Sequence, residues 1–167
     1  MDPRVRFTPR FAAIKRPRLY LDNSVISAYD DPRFPASNWV IDAAKVGRLV
    51  LVISDVTMVE HRRAPKDIQD VLRKVPSASI EIIRISEEAY LLAEAFVEAR
   101  IITYKWLFDA SHVAAATIAR VDALLSWNKD HFLNENRLVK FNGIIRLRGH
   151  REVVIIRPSE VLTDAQE

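Results

Sequence analysis

Cysteine is absent from this chain, and glycine occurs only three times in 167 residues. The first absence excludes disulfides, thiolate catalysis and cysteine-built zinc sites, and it fits a reducing compartment such as the cytoplasm. The second excludes a glycine-rich phosphate loop, which needs several glycines within a few positions so that backbone amides can wrap an anion. No apolar run approaches the roughly 20 residues of a membrane span. The N-terminus is basic but lacks the apolar core of a secretory signal. What is present is a globular composition, 49% hydrophobic and 28% charged, in a chain long enough for one domain with its own core.

The net charge of +3 is unevenly spread. Residues 1–18 hold six Lys/Arg and one acid, and residues 137–157 again hold six and one. Residues 19–136 hold 13 Lys/Arg and 17 acids, and the last ten residues add three acids. An acidic body between basic flanks suits a phosphate-bearing substrate that approaches carboxylates through a metal ion. Basic flanks that only aid solubility are the plainer reading.

Residues 1–17 carry three prolines and no apolar periodicity, and read as a basic arm, extended or disordered. The domain proper is expected over 18–157, with 158–167 as a C-terminal tail. Arg18 to Asp22 reads as a short apolar strand, and Val25 to Tyr29 begins a helix. Ser37 is the expected cap of a second helix reaching about Val46 and ended by Gly47, with Trp39, Val40, Ala43 and Ala44 on its buried face. Leu49 to Ser54 is a continuous apolar strand of the kind covered on both faces. A helix from Asp55 or Thr57 is interrupted by Pro65, and Asp67 to Lys74 makes another helical piece. Ile80 to Ile85 is a third strand. Ser86-Glu87-Glu88 opens a helix to about Arg100, with acids favourably placed against its dipole. Phe108 to Val121 is a small-residue-rich helix, Ala123 to Trp127 a fourth strand and Val153 to Arg157 a fifth. Alternating strands and helices predict an α/β three-layer sandwich around a mainly parallel sheet of four to five strands.

Ligands bind at the carboxyl ends of the strands in open α/β sheets. Asp22 ends the first strand and Asn128 follows the fourth, Asp109 heads the helix leading into the fourth, and Glu60 lies one turn into the helix after the second. Carboxylates at one sheet edge, without a His or Cys cluster, point to a hard divalent cation, Mg²⁺ or Mn²⁺. Each residue also has a plainer reading. Asp22 and Ser24 suit a helix cap, as does Asp109. Glu60, beside His61, Arg62 and Arg63, suits a surface ion pair. His112 suits a partly buried structural role, His131 a structural or exposed one, and Asn128 a turn. Trp106 and Trp127 read as core or subunit contact rather than as groups that stack on a ligand.

Four motifs in order resemble those of PIN-domain ribonucleases, of the VapC-like kind found in toxin–antitoxin pairs. They are Tyr20-Leu21-Asp22-Asn23-Ser24-Val25-Ile26, Ile53-Ser54 followed by Glu60, Asp109-Ala110-Ser111-His112-Val113-Ala114-Ala115-Ala116, and Leu124-Leu125-Ser126-Trp127-Asn128-Lys129-Asp130-His131-Phe132. The resemblance spans residues 18–157 and implies a metal-dependent endoribonuclease in which Asp22, Glu60 and Asp109 bind Mg²⁺ or Mn²⁺. It further implies that Ser24 hydrogen-bonds a ligating carboxylate or a bound water, with His112 nearby. The chain departs from the family at Asn128, where many members carry Asp. Asn coordinates through its amide oxygen without adding charge, and Asp130 is the candidate to supply the missing carboxylate or to orient the attacking water. Arg62, Arg63, Lys66, Lys105, Lys129 and Arg148 are candidate contacts to RNA phosphates. The partners implied are RNA, a small antitoxin protein and a second copy in a homodimer. The competing reading is a catalytically weak PIN-like RNA-binding or regulatory module. A phosphohydrolase of small substrates is disfavoured by the basic flanks and the missing glycine loop.

Overall fold

The apolar runs beginning at Arg18 and Val50 lie side by side as parallel strands at the centre of the molecule, with Leu19 opposite Leu51 and Tyr20 opposite Val52. The structure, a computed structural model, describes residues 4–164. In chain order its elements are β1 (Val5–Phe7), α1 (Pro9–Ala12), β2 (Arg18–Leu21), α2 (Asn23–Ser27), α3 (Pro35–Lys45), β3 (Val50–Ser54), α4 (Asp55–His61) and α5 (Lys66–Arg73). Then follow β4 (Ile80–Ile83), α6 (Glu87–Glu98), α7 (Leu107–Ile118), β5 (Ala123–Leu125), α8 (Glu135–Leu147), β6 (Ile155–Ile156) and β7 (Leu162–Asp164). The main sheet has the order β4-β3-β2-β5-β6, and every pairing in it is parallel. This is the expected α/β three-layer sandwich, PIN-like in its sheet and flanking helices.

Strand pleating divides the core in two, because successive side chains point to opposite faces. Leu19, Leu21, Leu51 and Ile53 pack with α2, α3 and α5 on one side. Tyr20, Val52 and Leu124 pack with α6, α7 and α8 on the other. From β2 the chain steps outward to β3 and β4, then returns to the far side of β2 for β5 and β6. The order therefore reverses between β2 and β5, and a crevice opens beyond the carboxyl ends of those two strands.

The segments outside 18–157 meet each other. Strands β1 and β7 pair antiparallel, with Val5 opposite Asp164 and Phe7 opposite Leu162. Val5, Phe11, Val161 and Leu162 are buried in the core shared with α3. The outermost parts of the expected arm and tail, residues 1–3 and 165–167, lie outside the described residues.

Several helix starts follow local chemistry. Ser54 and Thr57 form a capping box on α4, and the Ser86 side chain accepts from Ala89 N on α6. Helix α3 departs from expectation: Pro35, with its preset φ, opens it, and Ser37 lies inside the first turn, fully buried, accepting a hydrogen bond from Trp127 Nε1 at 2.9 Å. Strand β6 is shorter than expected, because the Asn142 side chain takes both backbone groups of Val153, at 2.9 and 3.1 Å. Gly143 stands in the interior of α8, and a Cβ added there meets nothing within 4 Å. Gly143→Ala is therefore expected to stabilise the fold by about 0.5–1 kcal/mol, since alanine loses less backbone freedom on folding. Urea unfolding checks this, as a higher midpoint at unchanged slope.

Candidate functional site

Asp22 leaves the end of β2 and caps α2. Its Oδ1 accepts from Ser24 Oγ at 2.6 Å, Ser24 N at 3.1 Å and Val25 N at 3.4 Å. Its Oδ2 accepts from Ser126 Oγ at 2.6 Å, one residue past the end of β5. Asp22 is thus the helix cap that one of its two readings expected. The two serines are fixed in turn: Ser24 Oγ accepts from Trp127 N at 3.0 Å, and Ser126 Oγ accepts from Asn128 N at 2.9 Å. Asp22 is only 5% exposed, and burial pushes its carboxyl above the usual carboxylate range, opposed by the Ser126 and Ser24 hydrogen bonds.

Glu60, on α4, reaches a second constellation. Its Oε2 lies 3.1 Å from His112 Nε2. His112 is fully buried on α7, with Nδ1 2.7 Å from the Tyr20 hydroxyl, which lies 2.6 Å from Ser54 Oγ. An ionised carboxylate only accepts, so His112 Nε2 carries a hydrogen. In the neutral ring this leaves Nδ1 to accept from Tyr20, whose oxygen accepts from Ser54. Burial pushes the Tyr20 hydroxyl above the usual tyrosine range. A continuous line of hydrogen bonds thus runs from the cap of α4, through the core, to Glu60.

Asp109, in the first turn of α7, accepts through Oδ2 from His131 Nδ1. The backbone N–H of His131 donates to Asn128 Oδ1 at 3.1 Å. The Trp106 ring stands over His131 with centroids 4.4 Å apart.

Asp22, Asn23, Ser24, Glu60, Arg63, Asp109, His112 and Asn128 line one cavity of about 400 Å³ at the carboxyl end of the sheet. The structure thus brings together Asp22, Ser24, Glu60, Asp109, His112, Asn128 and Arg63. Others lie elsewhere. Asp130 and Lys129 are exposed and outside that lining. Arg62 borders a separate apolar cavity with Met58, His61 and Leu72. Lys66 opens α5, Arg148 caps the end of α8, and Lys105 lies over Trp106.

Sequence reasoning missed Ser126, Tyr20, Asn23 and the His131–Asp109 pair. A serine following a buried strand, two positions before Asn128, was the available signal for Ser126. Asn23 Oδ1 is buried with no hydrogen-bond partner and belongs to the lining of the cavity.

The donor chemistry fits a hard cation: three carboxylates and two amide side chains share one cavity, and one amide oxygen is buried and unpartnered. Among the described residues, however, no group of three or more His, Cys, Asp or Glu side chains is arranged to hold a metal ion. Glu60 and Asp109 are each paired to a histidine, and Asp22 is occupied by two hydroxyls.

No protein-family model matches this chain, and no curated protein matches its sequence. Solved structures match it in fold. VapBC2 from Rickettsia felis, bound to a DNA fragment from its promoter, is 14% identical over 84% of this chain and 98% of its own, with a TM-score of 0.53. A toxin–antitoxin complex from Klebsiella pneumoniae is 17% identical over 86% and 99%, with a TM-score of 0.55. VapC20 from Mycobacterium tuberculosis, a toxin that cleaves the sarcin–ricin loop, is 15% identical over 68% and 92%, with a TM-score of 0.50. At these identities the likeness is one of fold. No helix among the described residues is long and apolar enough to cross a membrane.

Proposed function

We propose that this protein is a metal-dependent endoribonuclease, the toxin of a toxin–antitoxin pair. The observation that carries the reading is the single cavity, at the topological switch point of the sheet, lined by Asp22, Glu60 and Asp109. Asp22, Glu60 and Asp109 would hold Mg²⁺ or Mn²⁺, with Asn23 and Asn128 offering neutral oxygens. Such a cation supplies Lewis acidity to the scissile phosphate and acidifies a water for attack. The chain's own part is orientation. Ser24 and Ser126 fix both oxygens of Asp22, His112 holds Glu60, and His131 holds Asp109. Arg63, in the same lining, attracts the phosphate backbone, whereas Asp130, exposed and outside that lining, has no part in holding the cation. The fold shared with toxin–antitoxin structures supports a small protein antitoxin as partner, and we place the protein in the cytoplasm as a homodimer.

The test is RNA cleavage by purified protein in Mg²⁺ and in Mn²⁺, wild type beside Asp109→Asn. Wild type cleaves and the variant does not; no cleavage by wild type, or equal cleavage by both, rejects the reading.

Asn128 sets how tightly the cation is held. Asn128→Asp keeps the acceptor for His131 N and adds a fourth negative charge to the cavity lining. Affinity for Mn²⁺ by calorimetry is expected to rise on the order of tenfold, since ligand charge count tunes such sites. An unchanged affinity would place Asn128 outside the ligand set.

A further inference from the structure

Aromatic side chains are normally buried, and a chain that leaves several together on its surface keeps them for contact with something else. Of the four aromatic side chains exposed among the described residues, three fall within five positions at the start of α7: Tyr104 at 71%, Trp106 at 41% and Phe108 at 52%. Lys105 lies among them, with Nζ 5.1 Å from the Trp106 ring centroid. The patch adjoins the cavity already described, because Trp106 packs on His131 and His131 is bonded to Asp109. From the aromatic surface to a candidate metal-binding carboxylate is thus one side chain. The sequence reading assigned Trp106 to core or subunit contact, but its exposure and its position beside the cavity favour a substrate role.

We propose that Trp106, flanked in sequence by the exposed Tyr104 and Phe108, is a stacking platform for an unpaired base next to the scissile phosphate. The inference rests on the nuclease reading for the identity of the cavity. Aromatic faces bind bases by stacking, and every base offers such a face once it leaves a helix. An A-form duplex hides its base faces between neighbouring pairs, so only loops, bulges and single strands can present one. Charge agrees with this occupant. Lys105 at the platform and Arg63 in the cavity lining are cations suited to the phosphates on either side of the stacked base. An apolar protein partner would leave Lys105 to be desolvated without a counter-charge.

The test uses the full-length Asp22→Asn protein without added divalent metal, so that binding is read without cleavage. Fluorescence anisotropy follows a labelled single-stranded RNA 12-mer and the same sequence in a duplex, and 2-aminopurine placed along the strand reports stacking. The single strand should bind more tightly than the duplex. Adding Trp106→Ala should weaken single-strand binding about ten- to a hundredfold, leave duplex binding unchanged and abolish the 2-aminopurine quenching. Trp106→Phe should restore most of both. A Trp106→Ala protein that melts normally and binds single strands like its parent would falsify the platform. So would a change confined to self-association in gel filtration, which would make the patch a subunit contact. The two readings fail separately. Trp106-dependent binding with no cleavage by wild type upholds the platform and rejects the nuclease. Cleavage with Trp106-independent binding does the reverse, and no RNA binding by the parent rejects the platform.

Discussion

Asp22→Asn is expected to lower metal-dependent RNA cleavage on the order of 10³-fold and, in metal-free buffer at neutral pH, to raise thermal stability. The activity loss follows from removing one negative charge where charge must be held against a cation and a phosphate, a class of loss that reaches 10²–10³-fold even for a single neutral donor. The stability gain comes from the same carboxylate. Burial raises the Asp22 carboxyl, and the hydrogen bonds from Ser126 and Ser24 only partly offset it. The folded state therefore holds this proton to a higher pH than the unfolded chain, which releases it near about 3.9. As pH rises from that unfolded value through the folded one, the stability associated with the protonated group is lost. An amide has no such proton to lose and keeps one acceptor for Ser24, while Ser126 can turn to accept from its NH₂. The gain is on the order of 1 kcal/mol, or about 2–4 °C for a domain of this size. It should vanish as the pH falls below the unfolded value, where both side chains are neutral. Differential scanning fluorimetry across pH reads this directly. Added Mn²⁺ should stabilise wild type by mass action and the variant far less. A variant that melts below wild type at pH 7 in chelator would show that the hydrogen bonds to the carboxylate outweigh its burial.

Much of this site was legible because the sequence signals were local. Apolar runs ending in Asp22, Ser54 and Ser126 mark strand ends, and alternating strands and helices imply a parallel sheet whose carboxyl edge gathers them. Asp22, Glu60, Asp109 and Asn128 could therefore be assigned to one edge without coordinates, and they line one cavity. What was illegible depends on which side chains meet across 20 to 100 residues. Nothing near Tyr20 announces that its hydroxyl ends between Ser54 and His112. The strand period places Tyr20 on the opposite face from Leu19 and Leu21, but the identity of that face follows only from the packing of α7. The same holds for His131, which finds Asp109 through the turn capped by Asn128. Strands β1 and β7, three residues each and separated by most of the chain, have no periodicity long enough to read.

The relay through His112 yields the second large effect. His112→Ala removes a fully buried ring in edge contact with Tyr20 and Phe132, with centroids 5.7 and 6.4 Å away. It leaves a cavity and takes one partner from the Tyr20 hydroxyl, so the expected cost is about 3–4 kcal/mol. In a chain of this length that lowers the melting temperature by roughly 10 °C. The functional effect is separable from the structural one. Without His112, Glu60 loses the hydrogen bond that sets its carboxylate, and supports of this kind cost 10- to 100-fold in metal affinity when removed. Phe141→Ala supplies the control, because Phe141 is equally buried and stacks edge-on against Phe96 at 4.8 Å, outside the cavity lining. Its stability loss should be comparable and its Mn²⁺ affinity unchanged. His112→Gln, which can still donate to Glu60, should recover metal affinity more fully than stability. Equal Mn²⁺ affinities for wild type, His112→Ala and Phe141→Ala would show that Glu60 is positioned without the histidine, and would reduce the buried relay to a packing device.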